Sequence, residues 1–442
     1  MSTPNTHTKA TFVATGLMLF ALFFGAGNLI FPALLGQQAG SNIFSSVTGF
    51  LLTGVGLPLL GVIAIGYSGS RDVQDLASRV TPWYGIVFAS LLYLSIGPLF
   101  ATPRTATVSF EVGVAPFWGK ENKTVALAVF SILFFAVSYW LAMSPGKLVD
   151  RIGKVLTPIL LIAIVILVGY AAMNPMGELQ AAQGEYALQP LAKGMIEGYG
   201  TMDALASLVF AIIVIDAVRA MGVSNNRQVL GLTAGAGLIA AACLAVVYVF
   251  IAYMGATSVA ELGLQENGAA VLSKSAQFYF GNFGNILLAV IVFLACLTTS
   301  VGLITSCSEY FNRLIPSISY KTFAVIFTLV SCGLANKGLA GIISFSIPML
   351  LLLYPLTVVI IVLAFLDKFF NGSRLVYVCT IFFTLVVGLL DAYKTAFGFS
   401  PETAEAINNT LPFYDIGLGW IVPASAGFIL GCILNVAIKK KA

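Results

Sequence analysis

The residues able to do chemistry in this chain are few, and they lie in stretches where charge is scarce. The run Phe23-Phe24-Gly25-Ala26-Gly27-Asn28-Leu29-Ile30-Phe31-Pro32 sets two glycines, an asparagine and a proline inside an apolar segment. Glycine costs a helix about 1 kcal/mol against alanine. Pro32 has no N–H and clashes with the carbonyl of Asn28, four residues earlier. The spacing predicts an interrupted helix, and freed backbone groups in hydrocarbon must be satisfied by something. A cation would satisfy the carbonyls that end the first half. A carboxylate would satisfy the amides at the positive start of the half-helix near Leu29. The competing reading is a packing kink, because small residues also let helices approach closely.

A second cluster is Ala295-Cys296-Leu297-Thr298-Thr299-Ser300. Positions 295, 298 and 299 share one helix face, and their oxygens are hard ligands suited to a small alkali cation. The competing reading has the hydroxyls bonded back to their own helix carbonyls. A third stretch, Thr201 to Phe210, carries Asp203. An intramembrane carboxylate points to function, although capping a helix start is the alternative. Asp216 and Arg219 read as an ordinary ion pair. Pro98 and Pro103 bend the segment that starts near Tyr93, and Arg104 and Glu111 fall at its outer boundary. Arg104 there is either a gating charge or a snorkelling side chain. With no fixed charge at the other midplane positions, the fitting solute is neutral or zwitterionic with an apolar side chain.

These residues must be held by elements that composition identifies. The chain has 442 residues, 59% hydrophobic and 9% charged, where a soluble domain carries about 25% charged residues. Most of the exterior must therefore face lipid. Against the roughly 20 residues a crossing helix needs, twelve apolar runs stand out: 11–36, 43–67, 80–101, 124–143, 152–172, 195–220, 229–255, 282–311, 320–336, 340–366, 375–395 and 413–438. Alternating strands are absent from the sequence, which excludes a β-barrel. The expectation is an all-α membrane protein of twelve transmembrane helices in one transmembrane domain, 1–442.

Placing the N-terminus in the cytoplasm puts most of the 22 Lys and Arg residues on inner segments, from Lys9 to Lys441. Both termini are then cytoplasmic. The net charge of +4 follows this bias and gives no reason to expect nucleic acid. The first run is too long for a cleaved signal and contains Asn28 and Pro32. The six cysteines fall inside predicted spans, which indicates neither a disulfide framework nor a metal cluster. His7 is the one histidine, so a histidine proton relay is excluded. The segment 113–120 (GVAPFWGK) misses the phosphate-loop pattern by one residue, and Glu121 stands where Ser or Thr should follow. ATP is therefore not the energy source, and an ion or solute gradient must be. Residues Asn267 to Phe280 are expected to form a short amphipathic helix, either a lid over the mouth or a plain interfacial helix. An enzyme would need clustered Cys, His or paired carboxylates at depth, and a channel would need charged or carbonyl-rich rings; the spans show neither.

Five stretches carry a family resemblance: FALFFGAGNLIFPALLGQQAG (20–40), GPLFATPRTATVSFEVG (97–113), SPGKLVDRIGK (144–154), GYGTMDALASLVF (198–210) and ACLTTSVGLITSCSEYF (295–311). Together they resemble the bacterial branched-chain amino acid:cation symporter family of BrnQ-like carriers. The resemblance implies uptake of leucine, isoleucine and valine with Na⁺ across the inner membrane, H⁺ and Li⁺ being the other candidate ions, and no cofactor. More distantly the chain looks like the LeuT-type fold. That likeness implies inverted repeats over about 11–172 and 195–366, two further helices over about 375–438, and breaks in spans 1 and 6. Gly25, Ala26, Gly27 and Asn28 match its substrate-binding first break. Ala295, Thr298 and Thr299 match its widespread sodium site, with carbonyls from positions matching Ala21 and Phe24. The unwound turn of span 6 is expected near Ala206–Phe210, and the branched side chain near Tyr93, Ser207 and Phe210. Alternating access would follow, with spans 1, 2, 6 and 7 rocking against the rest.

Overall fold

Helices account for every regular element among the residues described by the computed structural model, which are 6–118, 122–144 and 149–439. Lys120, Lys147, Lys440 and Lys441, the end of the 113–120 segment and part of the 144–154 motif lie outside the described residues, as do the side chains of Lys9 and Lys439. The first run is split into α1 (Thr6–Phe23) and α2 (Ala26–Ala39). The second is α3 (Ile43–Leu51) and α4 (Leu57–Ser68), joined by a π turn at Leu52–Gly56. After a short α5 (Val73–Ala77), the third consists of α6 (Pro82–Leu94) and α7 (Ala101–Gly113). Gly97 leaves helical geometry beside Pro98, so the span bends at that proline through a π turn at Ser95–Leu99, whereas Pro103 sits in the first turn of α7 and does not bend it.

The next spans are α8 (Lys123–Ala142) and α9 (Thr157–Met173), the latter preceded by a π segment at Val149–Leu156. A short α10 (Glu185–Leu188) leads into α11 (Pro190–Tyr199) and α12 (Asp203–Ala220). The long α13 (Asn226–Leu262) and α14 (Gly268–Leu314) follow. Then come α15 (Tyr320–Ala335), α16 (Gly338–Leu366), α17 (Arg374–Phe397), α18 (Pro401–Thr410) and α19 (Ile421–Lys439).

Each predicted run overlaps helix, although 413–420 is turn ahead of α19, and length and apolarity alone do not return twelve. Among the described residues nine helices are long and apolar enough to cross a membrane, or ten if α11 and α12, bent by 46°, count as one span. The difference has physical causes. The break near Gly25 leaves Ala10–Phe23 too short by itself and joins α2 to the following span, and α15 is a short apolar helix of 16 residues.

Packing separates a centre from a lipid-facing rim. Trp83, Ile162, Val165 and Leu329 stand exposed on the outside, where hydrocarbon is the fitting solvent. Inside, α2 lies along α13 and α14, and α1 along α12, α13 and the Val149–Leu156 segment. Glycines permit this closeness: a Cβ on Gly36 would stand 1.9 Å from the Ala252 carbonyl oxygen, and one on Gly255 would stand 2.2 Å from that of Ala33. The segment read as either a lid or an interfacial helix is the first part of α14. It turns at Gly281 (φ 56°) and packs Gly268 against the Ile30 carbonyl of α2.

Candidate transport site at two broken helices

The two breaks face each other in the buried centre. Residues 24 and 25 are not helical, and Gly25 is extended with φ −117°. Its N–H donates to the Asn28 side-chain oxygen at 3.2 Å, so Asn28 closes the start of α2 from within. The amides of Ala26 and Gly27 open that helix, where no intrahelical acceptor exists for them. The second break comes at Gly200–Met202, ahead of the stretch Ala206–Phe210 that the resemblance pointed to. Gly198 and Gly200 weaken the end of α11 there, and Met202 takes a left-handed φ of 68°. Ala206 to Phe210 are regular helix in α12.

Between the breaks lies a cavity with about 20 Å³ of space, enough for one water. Gly25, Ala26, Gly27, Asn28 and Phe210 line it, as the sequence indicated. Ser207 and Tyr93 are not on its wall. The Ser207 hydroxyl donates to the Ala204 carbonyl at 2.7 Å and faces Gly61 of α4. Tyr93 stacks on Tyr310 at 4.1 Å, and its carbonyl accepts from the Cys307 thiol. Apolar wall comes instead from Leu22, Ile96, Ala206 and Leu303.

Next to the cavity the threonine pair reaches the end of α1. Thr298 Oγ1 donates to the Ala21 carbonyl at 2.9 Å and to that of Ala295 at 3.0 Å. Thr299 Oγ1 reaches the Leu22 carbonyl at 3.0 Å and that of Ala21 at 3.3 Å. The oxygens of Ala21, Ala295, Thr298 and Thr299 are thus gathered in one place. The further α1 carbonyl that Thr299 meets belongs to Leu22 rather than Phe24, whose ring stacks on Phe20 and Tyr248. The donor set is uniformly hard oxygen, which fits a small alkali cation.

Two charged residues stand differently from their sequence reading. Arg104 neither snorkels nor sits at a boundary; it is 4% exposed and lines the cavity. Its guanidinium donates to the Gly200 carbonyl at 2.9 Å and to that of Thr201 at 3.3 Å, with the Phe31 ring 5.6 Å away. Glu111, by contrast, pairs with Lys123 at 2.9 Å. Asp203 does not cap its helix. Its Oδ2 accepts from Asn28 Nδ2 and, at 3.0 Å, from the Tyr248 hydroxyl, and Asn28 Nδ2 also approaches that hydroxyl. Sequence reasoning missed Tyr248 altogether, since one tyrosine in an apolar run carries no local signal.

Asp216 and Arg219 do not form the ion pair expected of them. Both line a separate cavity of about 510 Å³ with Arg71 and Arg313, and Arg313 pairs with Asp72 at 3.1 Å.

Helices interrupted in the first and sixth spans, closing on a cavity beside a cluster of oxygens, define the class of secondary membrane transporters with broken helices. Solved structures of that architecture match nearly the whole chain. The nucleobase-cation-symport-1 family transporter Mhp1, closed with bromovinylhydantoin bound, aligns with TM-score 0.61 at 12% identity, over 97% of this chain and 93% of that one. MhsT in complex with L-phenylalanine aligns with TM-score 0.57 at 15% identity, over 96% and 97%. The sequence narrows the class. Residues 8–438 match the family described as branched-chain amino acid transport protein, and the chain belongs to that family. The branched-chain amino acid permease BrnQ of Bacillus subtilis is 49% identical, with 96% of each chain covered. The branched-chain amino acid transport system 2 carrier protein of Pseudomonas aeruginosa is 44% identical over 98% of each. BrnQ of Escherichia coli is 38% identical over 97% of this chain and 96% of its own.

Proposed function

We propose that this protein is a secondary active symporter that imports leucine, isoleucine and valine across the bacterial inner membrane together with Na⁺. Twelve crossings with both termini cytoplasmic, in two inverted repeats (about 11–172 and 195–366) plus two further helices, complete the reading. The observation that carries it is the broken first helix held against the Thr298–Thr299 pair, in a chain of the branched-chain amino acid transport family. In this reading Na⁺ replaces the hydroxyl protons as the link between the Ala21 and Leu22 carbonyls and α14, and so fixes the end of α1. The substrate carboxylate docks at the amides of Ala26 and Gly27. The branched side chain packs among Leu22, Ile96, Leu303 and Phe210. A cavity of about 20 Å³ must widen to load it, which the rocking of spans 1, 2, 6 and 7 provides.

Uptake of labelled leucine into proteoliposomes, with Na⁺, Li⁺ and pH gradients imposed separately, tests this. Uptake driven by the Na⁺ gradient and competed by isoleucine and valine is the expected result. Uptake that follows pH and ignores Na⁺ would instead favour proton coupling, for which Asp203 on the cavity wall is the fitting carboxylate.

A further inference from the structure

The charged side chains on the cavity wall are one cation, Arg104, and one anion, Asp203, which is 2% exposed. No ion pair joins them among the described residues. Opposite charges removed from water ordinarily persist only when paired, yet these two share one cavity without closing on each other. Arg104 has spare capacity: its Nε is buried without a hydrogen-bond partner, while its terminal nitrogens hold the Gly200 and Thr201 carbonyls. It also reaches the start of α2, because a Cβ on Gly27 would stand 2.8 Å from Nη2. The guanidinium therefore lies against the first turn of α2, and the Gly200 carbonyl lies there with it, 3.3 Å from the same would-be Cβ.

We propose that Arg104 and Asp203 read the two charged ends of the substrate. The guanidinium takes the α-carboxylate together with the amides opening α2. Asp203 takes the α-ammonium, with help from the Gly200 and Thr201 carbonyls that the guanidinium releases. A zwitterion so placed closes the gap between the two charges and leaves the site neutral, so the preference for zwitterions resides in side chains as well as in backbone. This assignment rests on the amino acid transport reading above.

The test is competition against labelled leucine on the purified protein in Na⁺, using leucine, leucinol (no carboxylate) and 4-methylpentanoate (no ammonium). Wild type should prefer leucine to either analogue by about 30-fold or more, the scale of a buried charged contact. Arg104→Gln should weaken leucine to the level of leucinol while leucinol itself barely changes; Asp203→Asn should do the same toward 4-methylpentanoate. Arg104→Lys should keep part of the preference for leucine over leucinol. If Arg104→Gln weakens leucine and leucinol by the same factor, the arginine is a structural clamp and the assignment fails. Should that variant not fold, wild-type affinities for leucine and leucinol lying within about threefold of each other would overturn it. Wild type that binds no leucine would instead defeat the transport reading.

Discussion

Thr299 occupies the space beside Gly25 that any larger residue would need: a Cβ at position 25 would stand 2.8 Å from Thr299 Oγ1 and 3.1 Å from its Cβ. The glycine at the break thus serves proximity as much as flexibility, since its φ of −117° is open to any residue. With no side chain at 25, the hydroxyl of Thr299 reaches the carbonyls of Ala21 and Leu22. Gly25→Ala should push Thr299 off those carbonyls, at an overpacking cost of about 1–3 kcal/mol. The expected outcome is a half-saturating Na⁺ concentration for leucine uptake raised by roughly 10-fold, with insertion retained. An unchanged Na⁺ curve would show that Thr299 plays no part in ion binding.

Thr299→Ala removes the hydroxyl from the same contact and leaves the backbone of α14 intact. Each hydrogen bond is worth about 1 kcal/mol of stability, so the detergent-solubilised variant should melt only slightly earlier than its parent. The cation response of uptake should flatten far more than that. If the variant keeps the parent's ion dependence, the threonine pair is packing rather than a cation site.

The first break was legible in the sequence because its signal is local: Gly25, Gly27, Asn28 and Pro32 stand within eight residues and each disfavours helix for its own reason. The threonine face was legible for the same reason, as spacing alone puts 295, 298 and 299 together. The second break was placed too late because the glycines that weaken span 6, Gly198 and Gly200, precede Asp203, and Met202 gives no hint of a left-handed turn. Arg104 was misplaced because the third run was ended at residue 101, whereas the π turn at Ser95–Leu99 leads into a further buried helix, α7, that carries Arg104. Ser207 and Tyr93 came from likeness rather than local chemistry, and in the structure they face Gly61 and Tyr310.

Tyr248 links α13 to both breaks through one hydroxyl, which donates to Asp203 and stands beside Asn28. Its ring packs edge-on against Phe50 at 5.2 Å and stacks with Phe24 at 6.4 Å. Tyr248→Phe keeps the ring contacts and deletes the O–H, leaving a buried carboxylate short of one donor at a cost of about 1–3 kcal/mol. Leucine affinity should fall by roughly 5-fold or more, accompanied by a lower melting temperature. Equal affinity in the two proteins would mean that the hydroxyl does not set the position of Asp203.

Close helix contact at one glycine and open space at another give a paired prediction on the fold itself. At Gly36 a Cβ would meet the Ala252 carbonyl oxygen at 1.9 Å and the Ala256 nitrogen at 2.9 Å, both backbone atoms that cannot turn aside. Gly36→Ala must therefore force α2 and α13 apart along the seam that also holds Gly255 against Ala33, and the broken first span would move with α2. Gly333, in α15, has nothing within 4 Å of its would-be Cβ. There the same substitution only restores helix propensity, a gain of about 1 kcal/mol. Thermal melting followed by size-exclusion chromatography should show Gly36→Ala losing its monodisperse peak well below the parent and Gly333→Ala holding it at or above the parent. Because leucine loading needs α2 in place, uptake should fail in the first variant and persist in the second. Equal melting of the two variants would mean that the α2–α13 seam does not hold the first span in position.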